Sequence, residues 1–232
     1  MNNLLESFIF SIREILREKL YSIVLFGSRV SGEEIKYKSD YNLLIVLTEI
    51  NYETMEKISG TIKKWLKAGN SYPIIFTIEE IKNSTDVFPL EFMDIKDAYK
   101  ILYGKDVLSE IFTEQTNLRH QCEYELRSNL MKIRQAYILH NDNNKKLKEI
   151  MALSLSSFLT IFKGIIHLHN EKPPTKKIDS LEIISKKIGF DLSPFLKIKE
   201  LKENKISKIN YKNLFQDYLK EIEKVVKYID NL

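Results

Sequence analysis

The reading of this chain turns on Leu25-Phe26-Gly27-Ser28-Arg29 and, further on, Ser39-Asp40-Tyr41-Asn42-Leu43-Leu44-Ile45-Val46. Tyr21 to Phe26 is a short apolar run closed by Gly27-Ser28, a pattern that predicts a buried strand ending in a turn. Tyr41 to Leu47 repeats it after a polar stretch, Arg29 to Ser39. The unbroken run Leu43 to Val46 marks a strand covered on both faces of its sheet. Upstream, Leu4, Leu5, Phe8, Ile9, Ile12, Ile15, Leu16 and Leu20 fall at helical spacing and predict an amphipathic helix reaching Leu20. Downstream, Met55 to Trp65 reads as a helix and Tyr72 to Ile78 as a third strand with Pro73 at its edge. Ala98 to Tyr103 reads as a fourth strand, stopped by Gly104.

The second half changes period. Apolar positions follow helical spacing over Leu118–Leu139, Lys146–His169, Asp179–Ile188 and Tyr211–Ile229. The breaks are Asn141 to Asn144, Pro173-Pro174, and Gly189 with Pro194. The pattern predicts four or five helices in an up-and-down bundle. The fold class is therefore α+β, with domains at 1–115 and 116–232. Charge divides the same way. Residues 1–117 hold 14 Lys and Arg against 18 Asp and Glu, net −4, and the remainder 22 against 14, net +8. Its lysines are interleaved with acids and lack a stacking aromatic pattern, which predicts a solvated surface rather than a nucleic-acid partner. With 7 Gly and 5 Pro in 232 residues, collagen-like repeats and a long flexible linker are excluded. The one cysteine, Cys122, makes no internal disulfide and points to a reducing compartment. Glu6, Arg13 and Glu14 interrupt the N-terminal apolar stretch, and Met151 to Leu168 is broken by Ser154, Ser156, Ser157, Lys163 and His167. The expectation is a soluble cytoplasmic protein with no membrane partner, its oligomeric state left open.

The order of strand, Gly27-Ser28-Arg29, Gly32, Ser39-Asp40 and buried strand resembles the polymerase-β-like nucleotidyltransferase superfamily. The likeness is to its small minimal and kanamycin-nucleotidyltransferase-like members. The resemblance implies a small mixed sheet flanked by helices. It also implies transfer of a nucleotidyl group from a nucleoside triphosphate to a hydroxyl of a small molecule or protein, with Mg2+. Phosphoryl chemistry rests on positioning and charge neutralisation, and each part has a physical task. Gly27 lets the backbone approach the phosphates, and Ser28 offers a hydroxyl and an N–H. Arg29 offers a bidentate grip or is a plain surface charge. Asp40 is the implied catalytic acid and metal ligand. In a strand, residue 42 shares its face.

The chain departs from the family pattern at that point. Position 42 is Asn42, a candidate metal ligand beside Asp40 whose amide supplies one neutral oxygen but lacks the charge that bridges two hard cations. The third strand contains no acid; Glu79 and Glu80 lie just past its end, and Asp86, Glu91 and Asp94 come later. The sequence therefore predicts a weakened or inactive transferase. The alternatives are a non-catalytic nucleotide-binding or regulatory module, and a toxin–antitoxin-like component acting through a partner or RNA. Two further candidates lie in the helical half. Glu123 matches by place alone the helical-domain base of kanamycin-nucleotidyltransferase-like enzymes, its bland reading being an i,i+4 pair with Arg127. Arg134 and His140 match the loose Arg-x4–6-His pattern of HEPN ribonucleases, a short pattern that arises often by chance.

Overall fold

The structure, a computed structural model, describes residues 3–32, 40–206 and 209–232. The chain divides into two compact units, 1–113 and 114–232.

In the first unit, α1 (Asn3–Leu16) buries Leu5, Phe8, Ile9, Ile12 and Leu16. The helix expected to reach Leu20 stops four residues earlier: a 3-10 turn, Arg17–Lys19, redirects the chain, with Arg17 at φ 48°. Leu20 keeps the helical period from Leu16 but buries its side chain at the head of β1 (Leu20–Phe26) instead. A four-residue helix, α2 (Ser28–Ser31), follows, and then β2 (Asn42–Leu47). Asn51 caps α3 (Tyr52–Lys67) by accepting from the Thr54 N–H at 2.9 Å. The unit is completed by β3 (Ile74–Thr77), α4 (Ile78–Asn83), α5 (Pro89–Asp97) and β4 (Tyr99–Gly104).

The sheet order is β3-β2-β1-β4. β1 runs antiparallel to both β2 and β4, and β2 runs parallel to β3, so the sheet is mixed, as the family resemblance implies. The third strand is shorter than its apolar run. Pro73 has no N–H to give a ladder, and Thr77 is taken by a capping box with Glu80 that starts α4. Both faces are covered. Leu25, Leu43, Ile45 and Leu47 pack with Phe8, Ile12, Ile58 and Trp65 from α1 and α3. Val24, Leu44 and Val46 pack with Ile81, Phe92 and Ile95 from α4 and α5. This is the arrangement a continuous apolar strand requires.

The second unit is helical: α6 (Gln115–His140), α7 (Asn144–Leu168), α8 (Ser180–Ile188), α9 (Ser193–Lys202) and α10 (Tyr211–Ile229). α7 lies at its centre, packed by the other four. Pro194 does not break the chain here; it stands in the first turn of α9, where a missing N–H costs nothing. Among the described residues, α7 is the one helix long and apolar enough to cross a membrane, and most of it is buried within the protein. Phe158, Phe162, Phe195 and Tyr218 form an aromatic core around it, with Phe195 edge-on to Tyr218 at 4.9 Å between centroids.

Candidate functional site

The antiparallel pairing of β1 with β2 sets Phe26 opposite Asn42, which brings the end of one strand to the beginning of the next. Gly27 follows directly, with φ 78° and ψ −149°, a conformation essentially reserved for glycine. Its N–H donates to the carbonyl of Ala98 at 3.1 Å, fastening the turn to the head of β4. Its carbonyl accepts from the N–H groups of Val30 (2.9 Å) and Ser31 (3.0 Å), which winds Ser28 and Arg29 into α2. A Cβ at position 27 would sit 3.0 Å from Asn42 Nδ2. The two pieces of the motif, about 15 residues apart in sequence, therefore lie side by side.

Asp40 and Tyr41 stand just ahead of β2 and are held by the loop that follows α3. The Ser71 hydroxyl donates to Asp40 Oδ2. Asn70 Oδ1 accepts from the Tyr41 N–H at 3.3 Å, and Asn70 Nδ2 donates to the Trp65 carbonyl at 3.3 Å. The loop is pinned in turn by Trp65, whose indole N–H donates to the Ser71 carbonyl at 3.0 Å. Trp65 is buried against Phe8 (4.3 Å between centroids) and Tyr41 (5.8 Å). The Arg29 guanidinium lies 4.0 Å above the Tyr41 ring, a cation–π contact that joins the turn to the start of β2.

The acids expected near this site are placed as follows. Glu80 closes the capping box: the Thr77 N–H donates to Glu80 Oε2 at 2.7 Å, and the Glu80 N–H donates to Thr77 Oγ1 at 3.0 Å. β3 carries Ile74, Ile75, Phe76 and Thr77, and no carboxylate. Among the described residues, no group of three or more His, Cys, Asp and Glu side chains is disposed to hold a metal ion. With Asp40 bonded to a hydroxyl and a neutral amide at position 42, the described residues do not fit a shared pair of divalent cations. Ser39, the residue before Asp40 in the motif, lies outside the described residues, as does most of the polar stretch before it.

In the second unit, Glu123 is held between two arginines of its own helix, Arg119 (3.4 Å) and Arg127 (3.1 Å). These continue to the end of α10: Arg119 donates to the Ile229 carbonyl at 3.2 Å, and Arg127 pairs with Asp230 at 2.6 Å. Arg134 pairs with Glu223 of α10 at 2.6 Å. His169 Nε2 lies 2.8 Å from the Tyr228 hydroxyl, and Cys122 is buried. These contacts fasten α6 and α7 to α10. Asn70, Ser71 and Trp65 were not marked by any sequence motif. The only hint is the turn-forming run Gly69-Asn70-Ser71 between a helix and a strand.

Residues 9–102 match the family described as nucleotidyltransferase domain. This stretch runs from the second half of α1 through most of β4 and contains the Gly27 turn, Asp40 and the Ser71 loop. Most of the first unit thus matches a nucleotidyltransferase domain, in keeping with the resemblance read from the Gly27-Ser28 motif. Across both units the fold is similar to that of the spectinomycin adenyltransferase AAD(9) from Enterococcus faecialis, solved with ATP and spectinomycin. The match has a TM-score of 0.53 and 14% identity, and covers 97% of this chain and 98% of that one. A toxin–antitoxin structure with AMP-PNP aligns over 57% of this chain and 94% of its own, at 21% identity and a TM-score of 0.32, a score from which no shared fold is read. No curated protein matches the sequence.

Proposed function

We propose that this protein binds a nucleoside triphosphate, as its Mg2+ complex, on the Gly27–Ser28 turn of its nucleotidyltransferase domain. Transfer of the nucleotidyl group to an acceptor hydroxyl is slow or lost. Gly27 and Ser28 meet the phosphates, Arg29 adds positive charge beside them, and Asp40 is the retained acid. The observation that carries this reading is the placement of the Asn42 amide beside Gly27, so near that a Cβ there would come within 3.0 Å of its Nδ2. A phosphate group seated there meets N–H and hydroxyl donors without a second carboxylate to repel it, which favours holding the nucleotide. Without a second carboxylate the site lacks the negative charge that would hold a pair of cations against the transferring phosphoryl group, which disfavours turnover. The AAD(9) neighbour holds ATP in its crystal, and the likeness in fold is consistent with nucleotide binding here. The protein then serves as a nucleotide-dependent binding module, or as a transferase with a low residual rate.

Isothermal titration with Mg-ATP, Mg-GTP, Mg-CTP and Mg-UTP tests the binding half. The expected result is saturable binding of at least one of them, weakened by Asp40→Asn. Absence of binding to all four removes the assignment. Incorporation of labelled nucleotide by the wild type and by Asn42→Asp tests the other half. Wild-type turnover equal to or above that of Asn42→Asp would show that the amide is not what limits the chemistry.

A further inference from the structure

We infer that Ser71 is the positioning residue for Asp40, and that the loop between α3 and β3 is a built support for the nucleotide site. The inference rests on reading the Gly27–Ser28 turn as that site. Asp40 precedes β2, so the ladder that fixes Asn42 to Leu47 does not fix it. Its orientation has to come from elsewhere. Three contacts supply it: the Ser71 hydroxyl donates to its carboxylate, the Asn70 side chain accepts from the N–H of the next residue, and the Trp65 indole holds the Ser71 carbonyl. The support is rigid because Trp65 is 1% exposed and packed between Phe8 and Tyr41. Just past the end of α3, Gly69 at φ 86° turns the chain back, and Asn70 and Ser71 bond to Tyr41 and Asp40 ahead of β2.

With Asn42 where the family pattern has an acid, Asp40 lacks on β2 the partner that would share a cation with it and help fix its rotamer. In this chain a hydroxyl takes over the fixing. Ser71 donates to one oxygen, Oδ2, which leaves acceptor capacity on Oδ1 and on Oδ2 itself for a ligand. Holding the side chain in advance removes the cost of ordering it when the nucleotide arrives.

The test is a double-mutant cycle between Ser71 and Asp40, read by isothermal titration of the full chain with Mg-ATP and accompanied by a thermal melt of each variant. Ser71→Ala is expected to weaken Mg-ATP binding about tenfold, the scale of one hydrogen bond to a charged group. Ser71→Thr, which keeps the hydroxyl, is expected to restore most of the affinity. In an Asp40→Asn background, Ser71→Ala is expected to cost little more. If Ser71→Ala binds as the wild type does, or costs the same with and without the Asp40 carboxylate, Ser71 does not act through Asp40 and the inference is overturned. If the loss in Ser71→Ala follows a lowered melting temperature and Ser71→Thr fails to restore binding, the loop is only a packing element and the inference is again overturned. A wild type that binds none of Mg-ATP, Mg-GTP, Mg-CTP and Mg-UTP overturns the reading of the turn itself, an outcome distinct from the other two; where it binds another of the four and not Mg-ATP, the cycle is read with that one.

Discussion

At the scale of single residues, Gly27 is the position where backbone and site chemistry meet. Its φ of 78° and ψ of −149° exclude a side chain without strain, and a Cβ would also meet Asn42 Nδ2 at 3.0 Å. The amide is the end of a short side chain and can rotate away; the backbone cannot adapt so cheaply. Gly27→Ala is therefore expected to destabilise the first unit by about 1–3 kcal/mol, as measured by urea denaturation. Nucleotide affinity should fall with it, because Ser28 moves with the turn. Arg29 offers a second test. Its guanidinium over the Tyr41 ring serves the fold, while its charge beside the turn serves a phosphate. Arg29→Lys keeps the charge and loses the planar stack. It should lower stability by about 0.5–1 kcal/mol and retain most of the nucleotide affinity. Arg29→Met, which loses the charge as well, should lose both. If the two variants bind nucleotide equally, Arg29 is a structural residue alone.

At the scale of elements, the loop after α3 depends on Trp65 in two separable ways, through the packing of its ring and through its N–H. Trp65→Phe keeps much of the packing but leaves the Ser71 carbonyl without its donor, an expected cost of about 1 kcal/mol. Trp65→Ala also opens a cavity next to Phe8 and Tyr41, an expected cost of about 3–5 kcal/mol. Urea midpoints of the two variants separate these contributions. The same elements show what the sequence makes legible. β1 and β2 are readable because continuous apolar runs bounded by Gly27 and by polar residues have one physical solution, a strand covered on both faces. The approach of Gly27 to Asn42 is readable too, since it follows from pairing two neighbouring strands. Ser71 and Asp40 are 31 residues apart, and their bond depends on where Gly69 turns the chain, which no periodicity reports. α9 was hidden because a proline reads as a break until its place in a first turn is known. Spacing alone places Leu20 in α1, because the 3-10 turn at Arg17 leaves the apolar spacing intact while changing the direction of the chain.

At the scale of the whole molecule, two units with separate cores share one pH profile, and the direction of its two limbs follows from the groups that shift. Hydrogen bonds from Lys57, Lys146 and Lys186 hold Glu53, Glu149 and Glu182 below the ordinary 4.5, and those from Ser193 hold Asp191 below 3.8. A carboxylate depressed in the fold contributes stability above its unfolded value and loses it as the pH falls through the folded one. The acid limb therefore begins below about pH 4.5. It should be shallow, because these pairs sit at the surface, where each contributes little and salt screens it. The alkaline limb has a different origin. Burial pushes the Tyr218 hydroxyl far above its ordinary 10, a shift that its bond to Ser154 at 3.1 Å only partly offsets. In the unfolded chain this phenol ionises from pH 10 upward while the folded one keeps its proton, so stability falls with rising pH, by up to about 1.4 kcal/mol per unit for one group. Lys19 and Lys205, raised above 10.5 chiefly by their hydrogen bonds to Glu49 and Glu203, add to the loss in the same direction. Tyr218→Phe separates the terms. At pH 7 it should cost about 1 kcal/mol, since the lost bond leaves Ser154 still donating to the Met151 carbonyl at 3.1 Å. Between pH 10 and 11 the variant should lose stability more slowly than the wild type, so that the two urea midpoints converge. Parallel alkaline limbs in the two proteins would show that the lysine pairs, and not the buried phenol, set the upper edge of the stability range.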